Sequence, residues 1–443
     1  MAMTAKRKMN LVASVVTGAT VHHHGMWRHP DTASDFLDPA SYENLARLLE
    51  HGKFDAVFFA DGLAIPDMGG RGSHARIIEH GGAFSLLDPL QVLVIMSRVT
   101  QNLGLGLTLS ATHIPTYLLA RAMGTLDVIS KGRAAWNVVT STMDAEVQNF
   151  GADALLPRKV RYDRADEVLE ACLKLWASWE EDALVVNKAS GQFAVGSKVH
   201  CANYQGQWVR TKGPLGVPRS PQDHPVIMQA GASDRGRDFA ARWAEIIFAA
   251  QSDLKSLKTF HDDVKGRMEK HGRRSEDCVI LASVDIIAAE TESIARQKQA
   301  YVEELVTPEH GLTIMADYLG FDASQLPLDQ PMMDVRTESG SRGVVENVLR
   351  SSGSEGLTVR EVARRFATSV FTPQIVGSTT QVADQLQHLF ENGACDGFIL
   401  APTTMPGTFE QIVRMVVPEL QRRGLFRKEY RHNTLRPTIL TAE

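Results

Sequence analysis

Short apolar runs bounded by turn residues alternate along the chain with longer segments whose apolar positions recur every three to four residues. The first run, Met9–Val16 (MNLVASVV), reads as a buried strand. Ser41–Phe54 reads as a helix with Leu45, Leu48 and Leu49 on one face, and Ala56–Asp61 as the second strand. A helix over Asp88–Gln101 opens on Asp88 as cap with Pro89 in the first turn, where a missing N–H costs nothing. Leu103–Ser110 is the third strand, followed by a helix carrying Leu118, Ala122, Leu126 and Ile129, and Arg133–Val139 is the fourth. A long helix over Tyr162–Trp176 places Leu169, Cys172, Leu173 and Trp176 at helical spacing. Pro225–Gly231, Glu245–Gln251 and Val279–Ala288 supply strands five to seven, and two helices precede the eighth, Gly397–Pro402.

Two segments break the rhythm. Residues 180–224 are rich in Gly, Lys and Gln with short β-like pieces (QFAVGSKV, QGQWVRT), which predicts an excursion built on a hairpin. Residues 305–355 are loop-rich, with Pro-marked turns and the stretches SRG and SSGSEG. Eight β–α alternations predict an α/β fold, a closed (β/α)8 TIM barrel spanning residues 1–443 as one domain, with insertions at about 180–224 and 305–355. The competing open, doubly wound sheet binds nucleotides through GxGxxG after its first strand, and neither that motif nor a Walker A loop occurs.

Composition narrows the function. At 44% hydrophobic and 22% charged residues the chain has the balance of a globular protein. Its net charge of −5 offers little to a phosphate backbone, so no nucleic-acid partner is expected. Cys172, Cys201, Cys278 and Cys395 are far apart and form no CxxC, which argues against a zinc knuckle or a disulfide framework. The basic-then-apolar start is too short for a signal segment, and no run approaches the ~20 apolar residues of a membrane span. The expectation is a cytoplasmic enzyme with no membrane partner.

Chemistry in a barrel collects at the C-terminal ends of its strands. In chain order those ends carry His22, His23 and His24; Asp61; Thr108, Ser110 and His113; Asn137, Thr140 and Ser141; Gln229 and Ser233; Gln251 and Ser252; and Thr403 and Thr404. One carboxylate among many uncharged hydrogen-bonding groups suits a large, planar, polar ligand better than a bare metal ion. His22-x-His24 does match the opening of an amidohydrolase-type metal site. That chemistry also needs Lys or carboxylate on strand four, His on five and six, and Asp on eight. The chain has Asn137, Gln229, Gln251 and Pro402 there, so no metal is expected. After strand five, Gly231 permits close backbone approach and Ser233 caps a helix whose exposed N–H groups can hold a phosphate. Arg158, Arg161 and Tyr162 open the helix on the neighbouring loop, and together the two features predict a phosphate-bearing cofactor.

The runs GMWRHP (25–30), GKFDAVFFAD (52–61), THIPTYLLAR (112–121), RAAWNVVTS (133–141), RYDRADE (161–167) and QAGAS (229–233) together resemble the bacterial-luciferase-like flavin monooxygenases over about residues 8–425. The resemblance points to the subgroup containing the nitrilotriacetate, EDTA and dibenzothiophene-sulfone monooxygenases and the long-chain alkane monooxygenase. It implies a luciferase-like barrel that takes FMN as the reduced cosubstrate FMNH2, supplied by a separate NAD(P)H:FMN reductase. With O2 this forms a flavin C4a-(hydro)peroxide, which oxidises a small organic substrate. Carried over position by position, Tyr162 and Ser233 would take the FMN phosphate, and Asp61, Thr108 and Asn137 would lie nearer the ring system. A catalytic histidine beside the flavin falls within residues 21–24, as His22 or His24, and His310 in the second insertion is a further candidate. Family analogy also implies a homo-oligomer. The cationic, Gly-rich loop Met68–Arg76 suits carboxylates and makes an aminopolycarboxylate such as nitrilotriacetate the first substrate expectation. An organosulfur compound or other xenobiotic is second. An F420-dependent oxidoreductase on the same barrel and a metal-dependent amidohydrolase are the more distant alternatives.

Overall fold

Each of the eight expected runs forms a parallel strand in the computed structural model, which describes residues 7–441 apart from 20, 67–73, 83–84, 252, 320–322, 324–325, 335–347 and 349–354. The strands are β1 (Asn10–Val15), β2 (Ala56–Phe59), β3 (Gly104–Ser110), β4 (Ala134–Val139), β5 (Val226–Gln229), β6 (Ile246–Ala249), β7 (Val279–Ala289) and β8 (Gly397–Ala401). Each pairs with the next, and β8 returns to β1, so the sheet closes.

Side chains alternate across a strand, so one set faces the barrel axis and the other the surrounding helices. Leu11, Leu105, Trp136, Ile227, Ile280 and Phe398 face outward into the large apolar cluster shared with the helices. Val12, Ala56, Ala135, Val226, Leu281 and Ile399 face inward into a separate cluster on the axis. Following the inward parity toward the C-terminal ends, the residues turn polar: Ser14, Thr108, Ser110, Asn137 and Asp285, all buried. The open rim is the one place inside a closed sheet where such groups can meet a ligand.

The helices start where their caps dictate. Asp88 accepts from Leu90 N at 2.9 Å ahead of Pro89–Val99. The first helix runs Pro39–His51 rather than from Ser41, because Asp38-Pro39 repeats the same Asp-Pro start and Asp38 accepts from Ala40 N at 2.9 Å.

Three expectations need correction. The two helices before β8, Val359–Ser369 and Thr379–Glu391, are separated by a ninth strand, Gln374–Ser378. That strand pairs in parallel with Asp285–Ala289, the half of β7 that projects beyond the barrel. Its five residues, QIVGS, hold only two apolar side chains and a Gly, too little for a strand pattern to register. The 180–224 excursion is two antiparallel ladders, Leu184–Asn187 with Gln192–Ala194 and Tyr204–Gln205 with Arg210–Thr211, not one hairpin. The second insertion is less loop-rich than expected where it begins, since it opens with the helix Pro308–Leu319.

That helix packs on Val359–Ser369 through Leu312, Met315, Val362 and Phe366, a cluster apart from the barrel core. Contacts on either side seat it over the histidine loop after β1. His23 Nε2 donates to Val302 O at 2.6 Å, Arg28 to Leu305 O at 2.7 Å, and His24 N to Ala367 O at 2.9 Å. Gly25 lies so close that a Cβ there would sit 2.6 Å from Leu305 O.

Gly311 sets the helix spacing, because a Cβ on it would fall on the carbonyl oxygen of Ala363. The clash is with backbone and cannot be relieved by a rotamer. Gly311→Ala should therefore lose about 1–3 kcal/mol to overpacking, net of the ~1 kcal/mol that Ala gains as a helix former. Urea unfolding reads the difference; equal or greater stability in the variant would show that the two helices are not in close contact.

Candidate active site

The rim carries two groups of polar residues. The first forms an arc from β2 to β5. Asn137 on β4 donates through Nδ2 to Thr108 Oγ1 on β3 at 3.0 Å, both buried. Asn137 Oδ1 is also buried and has no hydrogen-bond partner among the described residues. A buried amide oxygen left this way is costly unless a ligand supplies the donor. Asp61, just past β2, is pushed up to about 6, chiefly by burial. Buried Glu146 accepts from the N–H groups of Leu63, Thr142 and Met143 at 3.0–3.3 Å, tying the loop after β2 to the loop after β4.

The arc ends at the helix Asp234–Trp243. Gln229 accepts from Gly231 N and shapes the turn, and Ser233 caps the helix by accepting from Gly236 N at 3.2 Å. Tyr162, 8% exposed, reaches over from the helix Arg158–Trp176. Its ring meets Phe239 edge-on at 5.4 Å, and the Arg235 guanidinium lies 5.5 Å from its face. A Cβ on Gly236 would stand 2.9 Å from Tyr162 Oη and 3.0 Å from Ser233 Oγ. Two hydroxyls thus converge on a helix N-terminus whose backbone is bare of side chain. That is the donor set for a phosphate, because first-turn N–H groups and the helix dipole both favour an anion.

The second group lies across the mouth, where β7, β8 and β1 meet. His22 Nδ1 is 3.0 Å from Oδ1 of Asp285, which has 0% exposure. His23 is lowered to about 4 by burial, and both its ring nitrogens are occupied, Nε2 by Val302 O and Nδ1 by Gly25 N. His24 is lowered to about 3, by burial first and then by the neighbouring His23, His22 and His310. Neither His24 ring nitrogen has a hydrogen-bond partner among the described residues. His310 thus lies within electrostatic reach of His24, although it is almost three hundred residues further along the chain.

Sequence reasoning missed three contributors. Asp285 was overlooked because it sits inside an apolar run, VILASVDIIAA; a lone carboxylate at an inward position was the available signal. Phe58 and Phe248 face inward on β2 and β6 with ring centroids 4.8 Å apart, and read in sequence as ordinary core. Of the cationic loop, residues 67–73 lie outside the described residues, as does Ser252. Among the described residues no three His, Cys, Asp or Glu gather to hold a metal ion, and no helix is long and apolar enough to cross a membrane.

Known proteins resemble this chain over most of its length. Residues 16–396 match the family described as luciferase-like monooxygenase. The dibenzothiophene-sulfone monooxygenase of Rhodococcus erythropolis is 44% identical over 98% of this chain and 97% of its own length. Nitrilotriacetate monooxygenase component A of Aminobacter aminovorans is 39% identical over 98% and 96%. Among solved structures, riboflavin lyase with modified FMN and riboflavin superposes with a TM-score of 0.88 at 32% identity, covering 98% of this chain and 96% of that one.

Asp61 gives the site a pH signature. It holds its proton to about 6 when folded, against 3.8 as the ordinary value. The protonated form therefore favours folding below pH 4, and that contribution is lost as pH rises through 6. Asn cannot ionise, so Asp61→Asn should be more stable than the parent by about 1–2 kcal/mol at pH 7, allowing for partial solvent screening, and by much less at pH 4. Urea unfolding at both pH values checks this; a difference independent of pH would remove burial as the cause.

Proposed function

Because the chain belongs to the luciferase-like family of flavin-dependent monooxygenases, we propose that it is the oxygenase component of a two-component system. It binds FMN delivered already reduced by a separate NAD(P)H:FMN reductase and uses O2 to oxidise a small organosulfur substrate, an aryl sulfone foremost. The observation that carries the cofactor is the convergence of Tyr162 Oη and Ser233 Oγ over bare Gly236 at a helix start. The FMN in riboflavin lyase, and the name "component A" of the nitrilotriacetate relative, support cofactor and partner.

When bound, reduced FMN supplies the two electrons that activate O2. The chain supplies the rest. Tyr162, Ser233 and the first-turn N–H groups hold the phosphate. Asn137 Oδ1 would accept a hydrogen bond from the ring system, and Asp61 and Thr108 would stand beside it on the same arc. His22, His24 and His310 stand across the mouth to give or take a proton. The inserted helices, seated on the histidine loop, keep water from the reacting end.

For the substrate, the tilted Phe58–Phe248 pair lines the inner wall with aromatic surface, and the sulfone relative shares 44% identity against 39% for the nitrilotriacetate relative. These observations support a sulfone ahead of an aminopolycarboxylate as the substrate class. A carboxylate substrate is the second reading, favoured by Arg161, which is 8% exposed with Nε lacking a hydrogen-bond partner among the described residues.

The test is turnover under labelled O2 with FMN, NADH and a general flavin reductase, offering dibenzothiophene sulfone and nitrilotriacetate separately. The sulfone should be consumed with one labelled oxygen in the product. Turnover of nitrilotriacetate alone would overturn the substrate reading, and binding of F420 without binding of FMN would overturn the cofactor.

A further inference from the structure

We propose that Asp285 is a positioning residue that orients His22 and selects it, from His22, His23 and His24, as the proton-handling group at the reacting end of the mouth. That assignment of the reacting end rests on the function proposed above; the pairing itself does not.

Asp285 stands out against its strand. Val284, Ile286 and Ala288 face outward into the helical core, while Val279 and Leu281 face inward. Asp285 shares the inward parity and has no solvent exposure. Taking a carboxylate out of water costs several kcal/mol unless paired, so its presence among apolar neighbours calls for a specific partner. Its partner is His22 Nδ1 at 3.0 Å. Oδ2 has no hydrogen-bond partner among the described residues. The strand residues registered beside it, Ala401 on β8 and Gln374 on the ninth strand, bring no charge.

The three histidines differ in what remains available to them. His23 has both nitrogens engaged with backbone. His24 has no carboxylate in hydrogen-bond contact, and burial together with His22, His23 and His310 keeps it neutral. His22 alone has a carboxylate on one nitrogen and a ring still partly open, with 18% of its side chain exposed. With Nδ1–H donated to Asp285, the lone pair is on Nε2, which makes no other hydrogen bond among the described residues. This is the arrangement by which a carboxylate fixes the tautomer of a general base. If Nε2 takes a proton, the reacting group that lost it becomes an anion, and the dyad becomes imidazolium and carboxylate; the return step reverses both changes. Burial raises the proton affinity of Asp285 and His22 opposes the rise, so the carboxylate depends on its imidazole partner.

The full-length protein, labelled with 15N-histidine and read by long-range 1H–15N correlation, tests this, with His22 signals assigned by their loss in His22→Gln. In the parent, neutral His22 should be the Nδ1–H tautomer. Asp285→Asn should shift it toward Nε2–H and lower product formed per NADH by about tenfold or more, with FMN affinity unchanged, and Asp285→Glu should restore part of both. An Nε2–H tautomer in the parent overturns the proposal even if Asp285→Asn fails to fold, as does an unchanged tautomer or coupling ratio in a folded Asp285→Asn. Loss of FMN binding by the parent would instead strike the proposed function and leave the dyad standing.

Discussion

A parallel sheet closed on itself leaves its inward side chains one outlet, the open rim. Everything chemical in this molecule follows from that constraint. Below the rim the axis is filled by Val12, Ala56, Leu281 and Ile399, which pack without any hydrogen-bonding demand. At the rim the same inward positions become Thr108, Asn137 and Asp285, whose polar atoms lie too deep for bulk water. Such groups are tolerated only where they bond one another or await a ligand. Thr108 with Asn137, and Asp285 with His22, show the first solution. The orphaned oxygens of Asn137 and Asp285 point to the second.

Strand order divides the rim into halves with different tasks. The arc from β2 to β5 is rich in uncharged donors and acceptors and ends at a helix N-terminus, which suits it to bind and orient a ligand. The opposite side, where β7, β8 and β1 meet, gathers the imidazoles and a carboxylate, so it can move protons. The second insertion joins the two tasks. Contacts that flank it, from Val302, Leu305 and Ala367 to His23, Arg28 and His24, seat it over the histidine loop and bring His310 within electrostatic reach of His24. One packing interface thus covers the histidine loop.

The barrel was legible from periodicity because buried parallel strands read as unbroken apolar runs, and its caps were legible because Asp-Pro and Ser233 act through local chemistry alone. The candidate phosphate cradle was legible for the same reason: Gly231, Ser233 and Gly236 follow one another from turn into helix, with Tyr162 in the first turns of the helix Arg158–Trp176. What escaped was set by distant contacts. The strand Gln374–Ser378 exists because β7 overruns the barrel and offers it a partner. Asp285 has meaning only beside His22, 263 residues away in sequence. The packing of the helix that carries His310 depends on Gly311 letting two helices meet, which no local pattern announces.

The central claim is that the rim between β4 and β5 grips a flavin phosphate. A crystal structure of the protein grown with FMN tests it most directly. The phosphate should lie within hydrogen-bond reach of Tyr162 Oη, Ser233 Oγ and the first-turn N–H groups of Asp234–Trp243, with the ring extending toward Asn137. A phosphate found elsewhere on the rim, or a ring lying on the β7–β8 side with the Gly236 cradle bare, would contradict it.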